Sequence, residues 1–300
     1  MIMHAKKHVA ARRYRGLWRG WLWIGPAVLL EVIFFIYPLL NTLVMSFQNA
    51  DETNFVGLKN YQMIFTNAAM LEVLKNNLFW LLFGTVLTVG LGLLVAVLVD
   101  QLKVESLVKS ALFVPMAISF VGAGIIWRLV YIYQPAGDTQ IGLLNALLAL
   151  LKLPPQAWLI NPNFNNYAML LVYVWMWTGF CMVILSAGLK NIPDDIVDAA
   201  RIDGANRLRM FWHITVPLLR PTLAVVSTTM IINILKIFDI VYVMTGGNYR
   251  TDVVALEFYN QLFTFNNYGL ASALAILLFF TIAPIMYINI RRLRAEESLR

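Results

Sequence analysis

Six apolar stretches, 20–46, 78–99, 111–133, 167–189, 222–244 and 269–290, are each long enough to cross a lipid bilayer as a helix. Polar segments separate them at 47–77, 100–110, 134–166, 190–221 and 245–268. Of the 300 residues 60% are hydrophobic and 13% charged, whereas a soluble domain is about half apolar and about a quarter charged. The chain therefore reads as an all-α polytopic membrane protein with six transmembrane helices and no soluble catalytic domain. Gly90, Gly92, Pro115, Gly122, Gly124 and Gly179 lie inside the second to fourth spans, where small residues let helices approach closely.

Lysine and arginine placement orients the spans. With the N-terminus inside, the inner segments 1–19, 100–110, 190–221 and 291–300 hold 17 of the 23 basic residues. The outer segments hold Lys59, Lys75, Lys152 and Arg250. An even number of spans puts both ends on one side, and both ends are basic, which predicts an N-in, C-in topology. The net charge of +7 is thus an orientation signal, and nucleic acid is not implied. Trp18, Trp21 and Trp23 fit an interfacial aromatic belt at the inner end of the first span, which reads as retained rather than cleaved. The outer run "IGLLNALLALL", 141–151, is too short to span and fits a helix along the membrane surface or on a partner.

Cys181 is the single cysteine, so no internal disulfide or multi-cysteine metal site exists, and packing is its simplest role. His4, His8 and His213 are scattered, and the sequence has no phosphate-binding G-x-x-x-x-G-K-[ST] loop. ATP hydrolysis is therefore not expected of this chain, and no cofactor or metal is expected in it. Charges inside spans are costly unless they face protein or water, and Glu31, Arg128, Lys236 and Asp239 are four such residues. Lys236 and Asp239 sit three apart on one helix face, where they either neutralise one another or line a cavity. Tyr173 and Trp177 follow helical spacing in the fourth span, and Asn233 and Tyr242 lie in the fifth. Polar and aromatic side chains inside spans can line a solute pathway, so Tyr173, Trp177, Asn233, Lys236 and Asp239 are candidate pathway residues, with helix packing as the competing role.

The inner segment 190–221 interrupts the apolar pattern with two short charged helices. Pro193, Asp194 and Asp195 suit a first turn, Ile196, Ala199, Ala200 and Asp203 recur on one small-sided face, and Asp203-Gly204 marks a helix exit. Leu208, Phe211, Trp212 and Thr215 should share a face of the second helix. Such a helix can dock into a cleft on another protein or lie on lipid headgroups. The segment resembles the loop signature of permease subunits in binding-protein-dependent ABC importers. Asp198, Ala199, Ala200, Asp203, Gly204, Ala205, Phe211, Ile214 and Pro217 match its spacing, with Asp198 standing where the signature has Glu.

The resemblance implies a type I ABC importer transmembrane fold over 72–290, preceded by a basic tail (1–19) and an extra span with its outer loop (20–71). A short tail (291–300) would follow. The first loop helix would be the coupling helix docked in a cytoplasmic ATPase. "FDIVYVMTGGN", 238–248, and "YGLASALAILLFF", 268–280, are similar to maltose-type sugar permeases, and 234–248 more loosely to their α-glucoside branch. Implied partners are a second homologous permease, two ATPase subunits that bind ATP and magnesium, an extracytoplasmic sugar-binding protein contacting outer loops that include 245–250, and the sugar. The implied location is the cytoplasmic (inner) membrane of a bacterium or archaeon. The alternatives are an ion-coupled secondary sugar transporter using Glu31 or Asp239 as carrier, and a membrane enzyme acting on lipid headgroups.

Overall fold

The computed structural model describes residues 23–100 and 102–297, with side-chain environments through 291. The basic tail 1–19 and Trp18 and Trp21 lie outside the described residues. The fold is helical throughout. α1 (Trp23–Met45) is exposed along most of its length and meets the last helix through Tyr37–Met45. It carries a π-turn at Val32–Ile36, in which the Tyr37 amide donates to Val32 O. Pro38 has no amide for the Phe34 carbonyl, so the regular ladder cannot pass that point.

After α2 (Lys59–Thr66), the Asn67 side chain caps α3 (Ala68–Val99) by accepting from Ala69 N at 2.9 Å and Met70 N at 3.3 Å. This cap starts the second long helix about ten residues before the apolar stretch that predicts it. α3 packs chiefly against α7 (Asn165–Lys190), and their seam is the centre of the core, with Trp80, Met169, Cys181, Met182 and Leu185 fully enclosed. Gly92 permits this approach, and Gly179 on α7 permits that of the chain at Leu112. A Cβ on Gly92 would fall 2.5 Å from Cys181 Cβ, and one on Gly179 would fall 2.1 Å from the Leu112 carbonyl oxygen.

The third predicted span is not one helix. It is α4 (Glu105–Ala117) and α5 (Phe120–Val130), bent by 97°. Pro115 withholds an amide, Ile118 is extended, and Ser119 Oγ accepts from Gly122 N at 3.0 Å to start α5 afresh. The outer run at 141–151 forms α6 (Leu143–Leu150). Its buried Asn145 donates to Ile132 O and Gln156 O and accepts from Gln156 N, so the segment is tied to its own chain, with Leu143, Leu147 and Leu150 exposed.

α8 (Asp194–Ile202) and α9 (Arg207–Leu218) form the inserted loop, and α9 turns by 72° at Leu219 into α10 (Arg220–Leu235). Pro217 and Pro221 flank that bend. The fifth apolar stretch breaks again at 236–238 before α11 (Asp239–Met244). Lys236 ends one helix and Asp239 begins the next, so they do not share a continuous helix face as expected. The break is tolerated because Ile237 N donates to Ile234 O at 3.0 Å and Asn77 Nδ2 reaches Leu235 O at 3.5 Å.

α12 (254–264) lies in the last polar segment, and α13 (Tyr268–Glu297) runs past the predicted end at 290 with Pro284 inside it. α1, α3, α7 and most of α13 are uninterrupted helices long and apolar enough to cross a membrane, and the two bent pairs raise that number to as many as six among the described residues.

Candidate functional site: a loop helix and a broken span

Pro193 stands one position before the first turn of α8, as its extended N-cap, and Asp194 and Asp195 occupy the first turn beside the positive helix end. At the other end Gly204 adopts φ +77. Gly204 N donates to Arg201 O at 3.1 Å and Ala205 N to Ala200 O at 3.0 Å. Those two bonds are the Schellman closure of a helix, which fixes why Asp203, Gly204 and Ala205 must follow one another. Asn206 then caps α9, its Oδ1 accepting from Arg209 N at 2.8 Å. Asn is among the residue types that cap helices best, so this start is legible in the sequence.

The small face of α8 divides. Ala199, Asp198, Asp203 and Gly204 are exposed, whereas Ala200 is 8% exposed and closed against its own chain. Asp198 holds Arg201 at 2.9 Å, but both side chains are more than half exposed, so the pair adds little stability and leaves Asp198 free to exchange partners. Ile202 (86% exposed), Leu208 (68%) and Trp212 (59%) leave apolar side chains in the open. Phe211, Ile214, Thr215 and Pro217 are half-buried, so Leu208 and Trp212 do not share an environment with Phe211 and Thr215 as expected. Leu219, fully enclosed, seats the second helix against the end of α7, where Gly188 leaves room for it.

At the break in the fifth stretch, Lys236 is exposed and Asn233 and Asp239 are half-buried. Phe238 stacks on Tyr242 at 5.1 Å and 14°, and Tyr259 meets both at 5.3 and 5.6 Å. Phe263 extends the group at 4.9 Å from Tyr259, and Tyr242 remains 46% exposed. Asn233, Lys236 and Asp239 lie beside these rings in the chain and supply an amide, an ammonium and a carboxylate around the break. Phe238, Tyr259 and Phe263 were not singled out from the sequence, because two of them come from α12 and only the fold brings them to α11.

Tyr173 and Trp177 lie elsewhere. Tyr173 is 2% exposed, edge-on to Trp80 at 5.9 Å and 6.2 Å from Trp177, which meets Phe120 and Phe180. They belong to an aromatic ladder within the bundle in which Tyr173 is enclosed and Trp177 half-buried, and Tyr173 Oη and Trp177 Nε1 have no hydrogen-bond partner among the described residues.

The segment after α11 is held by side-chain amides from the long helices. Asn76 donates to Arg250 O and Asp252 O, Asn165 to Tyr249 O, and Asn77 Oδ1 accepts from Val254 N at 2.7 Å. Arg250 pairs with Glu72. The turn itself needs φ above zero at Gly246, Gly247, Tyr249 and Arg250. Asp252 Oδ1 accepts from Val253 N, and Glu257 Oε1 accepts from Gln261. Burial and the Glu257 carboxyl push Asp252 up to about 8.

The folded pKa lies above the unfolded one, so the folded segment holds an extra proton between them. Its stabilising contribution is complete below the unfolded carboxylate range and is lost as pH rises through about 8. Hydrogen exchange at 245–264, corrected for intrinsic rates, should therefore show more opening at pH 9 than at pH 6, and Asp252→Asn should remove the difference. Equal opening at both values would show that the carboxyl pair does not carry a proton there.

Long apolar helices, two of them bent pairs, with a capped polar helix between the fourth and fifth apolar stretches, define an integral membrane protein. Over residues 88–294 the chain matches the family described as the binding-protein-dependent transport system inner membrane component, and it belongs to that family. It is 50% identical over 279 residues to the osmoprotective compounds uptake permease protein GgtC of Synechocystis sp., covering 93% of this chain and 100% of that one. It is 40% identical over 281 residues to the alpha-glucoside transport system permease protein AglF of Rhizobium meliloti, covering 93% and 84%. The fold matches a chain of a bacterial ABC transporter involved in the import of the acidic polysaccharide alginate, with a TM-score of 0.77, 22% identity and coverage of 93% and 99%. Among the described residues no cluster of His, Cys, Asp or Glu could hold a metal ion.

Proposed function

We propose that this chain is one permease of an ATP-driven sugar importer, with six spans, both termini in the cytoplasm and α8 as the helix that docks into a separate ATPase. The observation that carries the reading is the Schellman-closed α8, whose Asp198–Ala205 signature stands outside the long apolar helices with Ala199 exposed. A second homologous permease completes the pathway, two ATPase subunits bind ATP and magnesium, and an extracytoplasmic binding protein delivers the sugar to outer segments that include 245–250. The family membership weighs against the ion-coupled transporter and against the lipid-headgroup enzyme.

The substrate is an α-glucoside, a neutral polyhydroxylated solute, which is compatible with both an α-glucoside and an osmoprotectant permease among the relatives. It passes the break at 236–238, where Phe238 and Tyr242 offer ring faces and Asn233, Lys236 and Asp239 meet hydroxyls. Tyr173 and Trp177 act behind it as packing that holds α7 against α3. In cells expressing the complete importer, Tyr242→Ala should lower uptake of a radiolabelled α-glucoside about ten-fold, the scale of one aromatic contact, while subunit assembly is unchanged. Uptake of glycine betaine but no α-glucoside would refute the substrate. Uptake abolished by collapsing the proton gradient, with ATP held constant, would refute the energy source.

A further inference from the structure

A cavity of about 670 Å³ opens between the start of α4 and the end of α7, at the end of the bundle that carries α8. Three ammonium groups line or face it. Glu105 is shared by Lys109 and Lys190, the latter at 2.7 Å, and Lys109 also meets the hydroxyl of the buried Ser186. Lys103 lies at the mouth, exposed and without a salt bridge among the described residues. Asp100 stands close enough to act on Lys190. Three cations against two carboxylates leave one net positive charge. Ser106 and Ser110 add hydroxyls, and no side chain caps the first turn of α4, whose amides favour an anion.

The other end of the cavity is apolar. Phe113 lies eight residues along α4 from Glu105, and Val183 seven residues along α7 from Lys190, about 10–12 Å deeper towards the hydrocarbon at 1.5 Å per residue. A free phosphate would use only the polar end of such a cavity. A lipid with a phosphodiester headgroup fills both ends, and its single negative charge matches the excess.

We infer that this cavity is a binding site for an anionic phospholipid of the phosphatidylglycerol type, with the phosphate held by Lys103, Lys109 and Ser106 and an acyl chain along Phe113 and Val183. The leaflet assigned to it, the cytoplasmic one, rests on the topology proposed above. Lys190 is at once a wall of the cavity and the last residue of α7 before the α8 loop, so an occupied site steadies the root of the docking helix.

The test is native mass spectrometry of the assembled complex, extracted in mild detergent and titrated with phosphatidylglycerol, phosphatidylcholine or inorganic phosphate. One phosphatidylglycerol per copy of this chain should be retained in preference to phosphatidylcholine. Lys103→Ala should weaken it about five-fold, the effect of one lysine at a membrane surface, and Lys103→Glu more. Lys103 is exposed, so neither change threatens folding. Equal retention of the two lipids, or selectivity indifferent to Lys103, would overturn the site. Displacement by millimolar phosphate with no lipid selectivity would overturn the lipid and leave only a phosphate pocket. The readout does not depend on uptake. A complex that binds phosphatidylglycerol but imports no sugar would refute the proposed substrate and keep this site.

Discussion

Gly179→Leu is expected to give a chain that does not assemble into a stable bundle. A Cβ at Gly179 falls 2.1 Å from Leu112 O, 2.8 Å from Leu112 C and 2.9 Å from Phe113 Cα. All three are backbone atoms, so no side-chain rotation relieves the clash. α4 would have to move away from α7, and it leads directly into the Pro115 break that aims α5. Overpacking a tight core costs about 1–3 kcal/mol even where side chains can shift, and here the cost exceeds that range. Gly90→Leu is the matched control, because a Cβ there meets nothing within 4 Å although the residue sits in the same kind of helix. In detergent, Gly90→Leu should run as a single species with the parent's melting temperature. Gly179→Leu should aggregate or melt many degrees lower. A Gly179→Leu protein melting within about 2 °C of the parent would show that α4 and α7 do not touch this closely.

The same contact shows what the sequence makes legible. The apolar stretches mark the long helices because a bilayer demands about 20 such residues, and Gly92, Gly124 and Gly179 inside them mark close seams whereas Gly90 does not. Pro115, which the sequence offers as one more close-packing position in a single span, instead marks the bend between α4 and α5. The break at 236–238 is not announced, since "ILKIFDI" reads as continuous apolar helix, and what makes it tolerable is Asn77 on a helix far away in the chain. Tyr173 is visible as an aromatic at helical spacing, but its enclosure depends on Trp80 from α3. Asn76, Asn77 and Asn165 left a signal, polar amides in or beside apolar runs, and the fold uses all three to hold the segment after α11. In the loop, local chemistry was enough to place the exit at Gly204. Which of two adjacent alanines faces outward was not a local question, because it depends on how α8 leans on its own chain.

That last point decides how the docking helix is best challenged. Ala200→Trp would force an indole into a position already 8% exposed, so failure would report damage within the chain. Ala199 lies on the exposed side of the same helix, next to Asp198. An indole there leaves the Schellman closure, the Asn206 cap and the packing of Leu219 untouched. It would, however, occupy the volume a partner's cleft must close over. Large truncations at interface centres cost about 2–4 kcal/mol, and a bulky insertion at such a point disrupts at least as much. Ala199→Trp should therefore lower sugar uptake by at least about 30-fold and strip the ATPase from the purified complex, with insertion and melting temperature as in the parent. Ala200→Trp should lower the melting temperature as well. Normal uptake with Ala199→Trp, and a full complement of ATPase in the purified complex, would mean that α8 is not the docking helix. The exposed Ile202, Leu208 and Trp212 would then have to be explained as a surface lying on lipid.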